Sequence, residues 1–183
     1  MDKSDSKNNT KTEGFSLVWK SMLAYGIWFL IRNAMTKIEV FAPFWNNLND
    51  QVASMYVSIS AWTMALLNHP VRFNSRNILI EGSPGLYVGN HCLGISAMVI
   101  FILIILLLNG PWKGKFVYTF LGLFAIFVMN WSRVVGLAFM LKYGTKGFFH
   151  FNHTYTYLVM VYGIIFIMIV YFQNTFSKRY FQN

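Results

Sequence analysis

Charge is what this sequence has least of: 11% of its 183 residues are Asp, Glu, Lys or Arg, against about 25% in soluble globular domains. Acid is scarcer than base, with 6 Asp and Glu against 15 Lys and Arg. Such scarcity excludes a disordered chain and argues against a soluble globule. One cysteine, Cys92, excludes an intramolecular disulfide. No internal repeat is visible. No small-residue cleavage site follows the first apolar run, so that run is read as a retained anchor rather than a signal peptide. The basic residues form no long run and no stripe on a polar helix. Nucleic acid is therefore not expected as a partner, despite the net charge of +9.

What is present is apolar. Hydrophobic residues make up 56% of the chain and aromatics 19%, with a mean hydropathy of +0.45. The expected fold class is an all-α integral membrane protein. Its expected domains are a polar tail at 1–14, one transmembrane domain at 15–173 and a basic tail at 174–183. Four stretches approach the ~20 apolar residues that a span needs. They are Phe15–Ile31, Cys92–Leu108, Phe116–Leu141 and His153–Phe172. The third would measure about 39 Å, longer than the ~30 Å hydrocarbon core, so it must tilt, kink or protrude. Gln51–Leu67 is a weaker candidate, and a fifth span only if it crosses. Val52, Met55, Ile59, Trp62 and Leu66 give it one apolar face, while Gln51, Ser54 and Ser58 share a polar one. It is read as an interfacial amphipathic helix. Ile78–Ile80 and Leu86–Val88 flank a Gly/Pro turn, which predicts a small β-hairpin before Cys92.

Lys and Arg favour the cytoplasmic side of a membrane. With Gln51–Leu67 on the surface and the N-terminus inside, the inner segments hold Lys3, Lys7, Lys11, Lys113, Lys115, Lys178 and Arg179. The outer ones hold Arg32, Lys37, Arg72, Arg76, Lys142 and Lys146. The slight inward bias favours four spans with both termini inside. Cys92 and His153 then open spans at their outer ends. Arg133 lies 17 residues beyond Phe116, about 26 Å up the same helix and near the same boundary.

Each of these residues has a plain structural reading beside a functional one. A lone Cys in an apolar helix is usually a small buried hydrophobe, whereas one that opens a helix sits where the dipole favours a thiolate. A boundary Arg can snorkel to lipid phosphate, and Asn130, one turn before Arg133, can glue helices together. An Arg inside a membrane is costly and commonly functional. His153 reads as a cap or as a base, with Tyr157 one turn on. His150 is the alternative base, in an expected loop from Gly144 to Phe151. Together His150 and His153 have metal-ligand spacing, but no acidic residue is near. No metal or cofactor is expected. His91 adjoins Cys92 but does not face it on a helix.

The runs Gly89–Ser96, Asn130-Trp131-Ser132-Arg133 and Asn152–Tyr157 resemble the exosortase/archaeosortase family of membrane-embedded cysteine transpeptidases. In that family a Cys followed by a Gly two residues on opens an apolar helix. An Arg follows an Asn by three residues, and a His opens the last span. Cys92 with Gly94, Asn130 with Arg133, and Asn152-His153 match in that order. The likeness covers roughly Ile78 to Phe172 and is to the compact members. Many members carry an acidic residue just before the Cys, where this chain has Asn90 and His91.

The resemblance implies Cys92 as nucleophile, Arg133 as oxyanion stabiliser and His153 as general base. It implies a multi-pass protein of the cytoplasmic membrane whose site faces outward. The implied partners are membrane lipids and secreted proteins that end in a short motif, a membrane span and a basic tail. Two other classes stay in view: a non-catalytic membrane assembly subunit, and a metal or proton transporter built on His150, His153 and Cys92. Spans without a carboxylate argue against transport. An assembly subunit would not need the three side chains to converge.

Overall fold

The structure is a computed structural model describing residues 3–177. Its helices, in chain order, are α1 (Lys3–Lys37), α2 (Ala42–Leu66), α3 (Ile95–Leu107), α4 (Trp112–Tyr143), α5 (Lys146–Phe151) and α6 (Tyr157–Phe172). Three short strands, β1 (Val71–Phe73), β2 (Asn77–Ile80) and β3 (Leu86–Tyr87), lie between α2 and α3. Trp112–Tyr143 and Gly147–Phe176 are long and apolar enough to cross a membrane, and Ile95–Leu107 is apolar but shorter. Phe15, Leu30, Phe116, Phe120 and Ile167 all lie more than half exposed. Water penalises a surface like that, whereas lipid accepts it. The chain is a helical membrane protein.

Two apolar clusters stack along α4. The lower one joins Ala24 of α1, Phe101 and Ile105 of α3, Ile126 of α4 and Ile165 of α6. Here α3 and α4 approach closely because position 122 is glycine. A Cβ there would overlap the Phe101 ring, and small residues are what let membrane helices pack this tightly. The upper cluster joins Tyr56 and Met64 of α2, Ile78 and Ile80 of β2, Leu93, and Leu137 of α4. With 32 residues, α4 measures about 48 Å. Its C-terminal half, from Phe127 to Leu141, carries α2 and the sheet.

Several expectations are corrected. The hairpin is present, pairing Asn77 with Tyr87 and Ile78 with Leu86. Val71–Phe73 adds a third antiparallel strand on the other edge of β2, too short a run for alternation to reveal. Cys92 does not open the α-helix. It ends a 3₁₀ turn, Asn90–Cys92, and Gly94 at φ +70° separates that turn from α3. His150 is not in a loop: it belongs to α5, whose first turn is capped by the Thr145 hydroxyl accepting from the Phe148 N–H. His153 does not open a span either. It sits in a π-helical turn, Asn152–Thr156, that joins α5 to α6. Residues 3–14, expected as a tail, continue α1. Lys178 and Arg179 lie outside the described residues.

The helix at 51–67 is longer than expected, beginning at Ala42, and it packs on the protein by a third face, neither the apolar stripe nor the polar one: Gln51 and Ser58 stay exposed. Ala53, Tyr56, Val57, Ser60, Ala61 and Met64 face the protein. Met55, Trp62 and Leu66 of the apolar stripe point outward. A soluble helix would turn that stripe inward. Here the small residues Ala53, Ser60 and Ala61 allow close packing, and the apolar stripe is left for lipid.

Candidate active site

Three elements bring the chemistry together. The 3₁₀ turn places Cys92, buried at 5% exposure, at the top of α3. Its backbone is closed by Cys92 N–H donating to Gly89 O at 2.9 Å. The π turn before α6 delivers His153. Cys92 Sγ and His153 Nε2 lie 3.9 Å apart, within reach of a sulfur hydrogen bond. The third element, α4, delivers Arg133. Its Nη2 donates to His153 O at 2.9 Å, and its Nη1 lies 3.5 Å from His91 O, the carbonyl just before Cys92. One guanidinium therefore ties the backbone of the thiol turn to that of the imidazole turn. The planar fork of Arg suits this bridging, which the single ammonium of Lys could not reproduce. Arg133 Nε is buried without a protein partner.

The neighbours fix these groups in place. Tyr157 lies under the guanidinium, with Arg133 Cζ 5.7 Å from the ring centroid. Gly136 leaves room for the Tyr157 hydroxyl, since a Cβ there would overlap it. Asn130, 2% exposed, donates to Ile126 O within its own helix. It does not join helices by a hydrogen bond. It packs beneath Gly94, where any Cβ would overlap its amide. Asn152 donates to Phe148 O at 2.9 Å and steadies the π turn. Beside Arg133 lies a cavity of about 390 Å³, lined also by Asn130, His91, Gly94, Tyr157 and Arg32 of α1. Among the described residues, no three His, Cys, Asp or Glu side chains are grouped to hold a metal ion.

Residues 15–171 match the protein family described as "Transmembrane exosortase (Exosortase_EpsH)". The chain belongs to the transmembrane exosortase family. No curated protein and no solved structure matches it significantly. Membership gives the chain a membrane transpeptidase or protease role in general terms.

Within this exosortase, the sequence brought forward Cys92, Arg133 and His153, and the structure brings those three together. It leaves His150 exposed on α5. It also shows two contacts that the sequence did not reveal. Phe149 stacks on His153, with centroids 5.7 Å apart and planes 20° apart. Tyr157, one turn on from His153, lies against Arg133 instead. The signal for Phe149 was its i, i+4 spacing from His153, hidden while 144–151 was read as a loop. The second is Arg76, read from sequence as one outer charge among several. It reaches the residue two places before Cys92.

Proposed function

We propose that this exosortase is a cysteine transpeptidase or protease that removes the C-terminal sorting signal of secreted proteins at the outer face of the membrane, through a thioester on Cys92. The observation that carries the reading is the 3.9 Å approach of Cys92 Sγ to His153 Nε2, with the Arg133 guanidinium bonded to both turns.

The chemistry follows from the groups. His153 Nε2 takes the thiol proton, and the thiolate attacks the carbonyl carbon of the scissile peptide. The carbonyl electrons move onto oxygen. Arg133 has five N–H donors and keeps its charge. Two of its nitrogens donate to carbonyls in the resting site, which leaves further N–H groups for the oxyanion. Collapse of the tetrahedral adduct expels the amine, and the His153 imidazolium returns its proton to that amine. The released piece is the membrane span with its basic tail. An amine or water on the outer side then attacks the thioester and frees Cys92. No metal or organic cofactor enters these steps.

The membrane arrangement belongs to the same proposal. α1, α4 and the α5–α6 run cross the cytoplasmic membrane, and α3, 13 residues long, crosses together with the turn that precedes it, with both termini inside and the site outward. The residues around the start of α2 support leaving that helix outside: Trp45 and Asn49 line the cavity with Arg133. Just past its other end, His69 packs edge-on against Phe139 and lies beside Tyr143. Both ends of α2 therefore meet the outer half of α4. The 3₁₀ turn is irregular backbone near membrane depth, which is tolerated where protein covers it. Secreted proteins with a C-terminal span and membrane lipids are the partners.

The test is Cys92→Ala against wild type, with a secreted protein that ends in a short motif, an apolar span and a basic tail. The proposal expects the span to stay attached in the variant. Removal of the span at the wild-type rate would overturn it.

A further inference from the structure

We propose that Arg76, braced by Asp50, is a positioning residue that sets Cys92, an inference that rests on the reading of Cys92 as nucleophile. Arg76 lies 16 residues before Cys92 in sequence, next to β2 and outside the span that carries Arg133. Its Nε donates to Asp50 Oδ1 of α2 at 2.6 Å, the one acid–base ion pair among the described residues. Its Nη1 donates to Asn90 Oδ1 at 2.9 Å and to Val88 O at 3.3 Å. Its own carbonyl accepts from Val88 N–H at 2.8 Å. Arg76 is mostly covered, at 17% side-chain exposure, while Asp50 is 58% exposed.

Asn90 is the first residue of the turn that Cys92 ends. That turn has three residues and little of its own to hold it. Short 3₁₀ turns have poor hydrogen-bond geometry. Two guanidiniums grip it instead: Arg76 takes Val88 and Asn90, and Arg133 takes His91. Arg133 reaches the turn from the span that also meets His153. Arg76 reaches it from the sheet and, through Asp50, from α2. The sulfur is therefore fixed against two separate parts of the fold. A charged pair in a chain with so few acids marks the place where that anchoring matters. Fixing the nucleophile counts because a displacement of about 1 Å can cost ~100-fold in rate.

Cys92 is the only thiol in the chain, so alkylation by iodoacetamide reports its setting without any substrate. The full-length protein in lipid nanodiscs is compared with Arg76→Met, Arg76→Lys, Asn90→Ala and Cys92→Ala. The readouts are alkylation rate against pH, kcat and KM for release of the C-terminal span, and the unfolding temperature. Arg76→Met and Asn90→Ala are each expected to lower kcat by roughly 10- to 100-fold with KM little changed. Both should also shift the alkylation profile. Arg76→Lys keeps a cation for Asp50 but loses the second prong, and should fall between. The Arg76→Met/Asn90→Ala pair should be no slower than Arg76→Met alone, because both remove one contact.

If Arg76→Met does not fold, Asn90→Ala decides, since it removes only the contact on the thiol side. A folded Asn90→Ala with wild-type kcat and a wild-type alkylation profile overturns the proposal. Should Cys92→Ala still release the span, the nucleophile reading fails instead. The alkylation profiles then judge the brace alone: a shift upholds it and an unchanged profile overturns it.

Discussion

Arg133 serves two carbonyls at once, and this double duty decides what its replacement should do. Arg133→Lys keeps the charge but offers one ammonium where the structure uses a fork across His91 O and His153 O. Processing of the sorting signal should fall about 100- to 1000-fold in Arg133→Lys, the usual cost of a lost oxyanion donor. Arg133→Gln should fall at least as far. Near-wild-type processing by the Lys variant would show that charge alone suffices. The two histidines separate just as clearly. His153 faces Cys92 and is stacked by Phe149, while His150 is exposed on α5. Single Ala variants assayed on the same secreted protein should lose processing at 153 and keep it at 150. The reverse outcome would move the base to His150.

At the scale of elements, the junction between the thiol turn and α3 is constrained twice over. Gly94 adopts φ +70°, and a Cβ there would also meet the Asn130 amide. The left-handed conformation alone costs a non-glycine residue about 1–2 kcal/mol, before Asn130 is displaced. Gly94→Ala should therefore lower the melting temperature in detergent and slow processing more than Ala at Gly163, where added bulk meets nothing within 4 Å. Equal behaviour of the two variants would mean that the junction is soft. The same junction shows where sequence reading reached its limit. The apolar run after Cys92 was plain, but hydropathy does not distinguish a helix that starts at Cys92 from a 3₁₀ turn ending there. The residue that made the difference was Gly94, whose positive φ leaves only the identity of glycine as a trace. Likewise α5 was hidden inside the expected loop from Gly144 to Phe151, where the Thr145 cap that starts the helix went unread. The packing face of α2 went unread because Ala53, Tyr56, Val57, Ser60, Ala61 and Met64 mix small, polar and aromatic residues and lie on neither the apolar stripe nor the polar face that periodicity picks out. Cys92, Arg133 and His153 were legible because polar groups in apolar segments stand out, and the segment lengths set their depths. Arg76 was not, because its partners Asp50 and Asn90 are brought to it only by the tertiary fold.

At the scale of the whole molecule, α4 is the axis: lipid-facing packing below, α2 and the sheet above, and the site between them. The proposed topology, four crossings with α2 outside, would put both termini on one side. Tags on the two termini should report the cytoplasmic side together, by protease protection in sealed vesicles, whereas opposite sides would mean that α2 crosses. The central claim is that Cys92 carries the substrate as a thioester. Because the chain has no other cysteine, intact-mass analysis of the protein quenched during turnover tests it most directly. The predicted result is an adduct on Cys92 equal in mass to the N-terminal fragment of the secreted protein less one water, released by hydroxylamine and missing in Cys92→Ala. Span removal at the wild-type rate by Cys92→Ala, with no adduct on the wild-type chain, would contradict it.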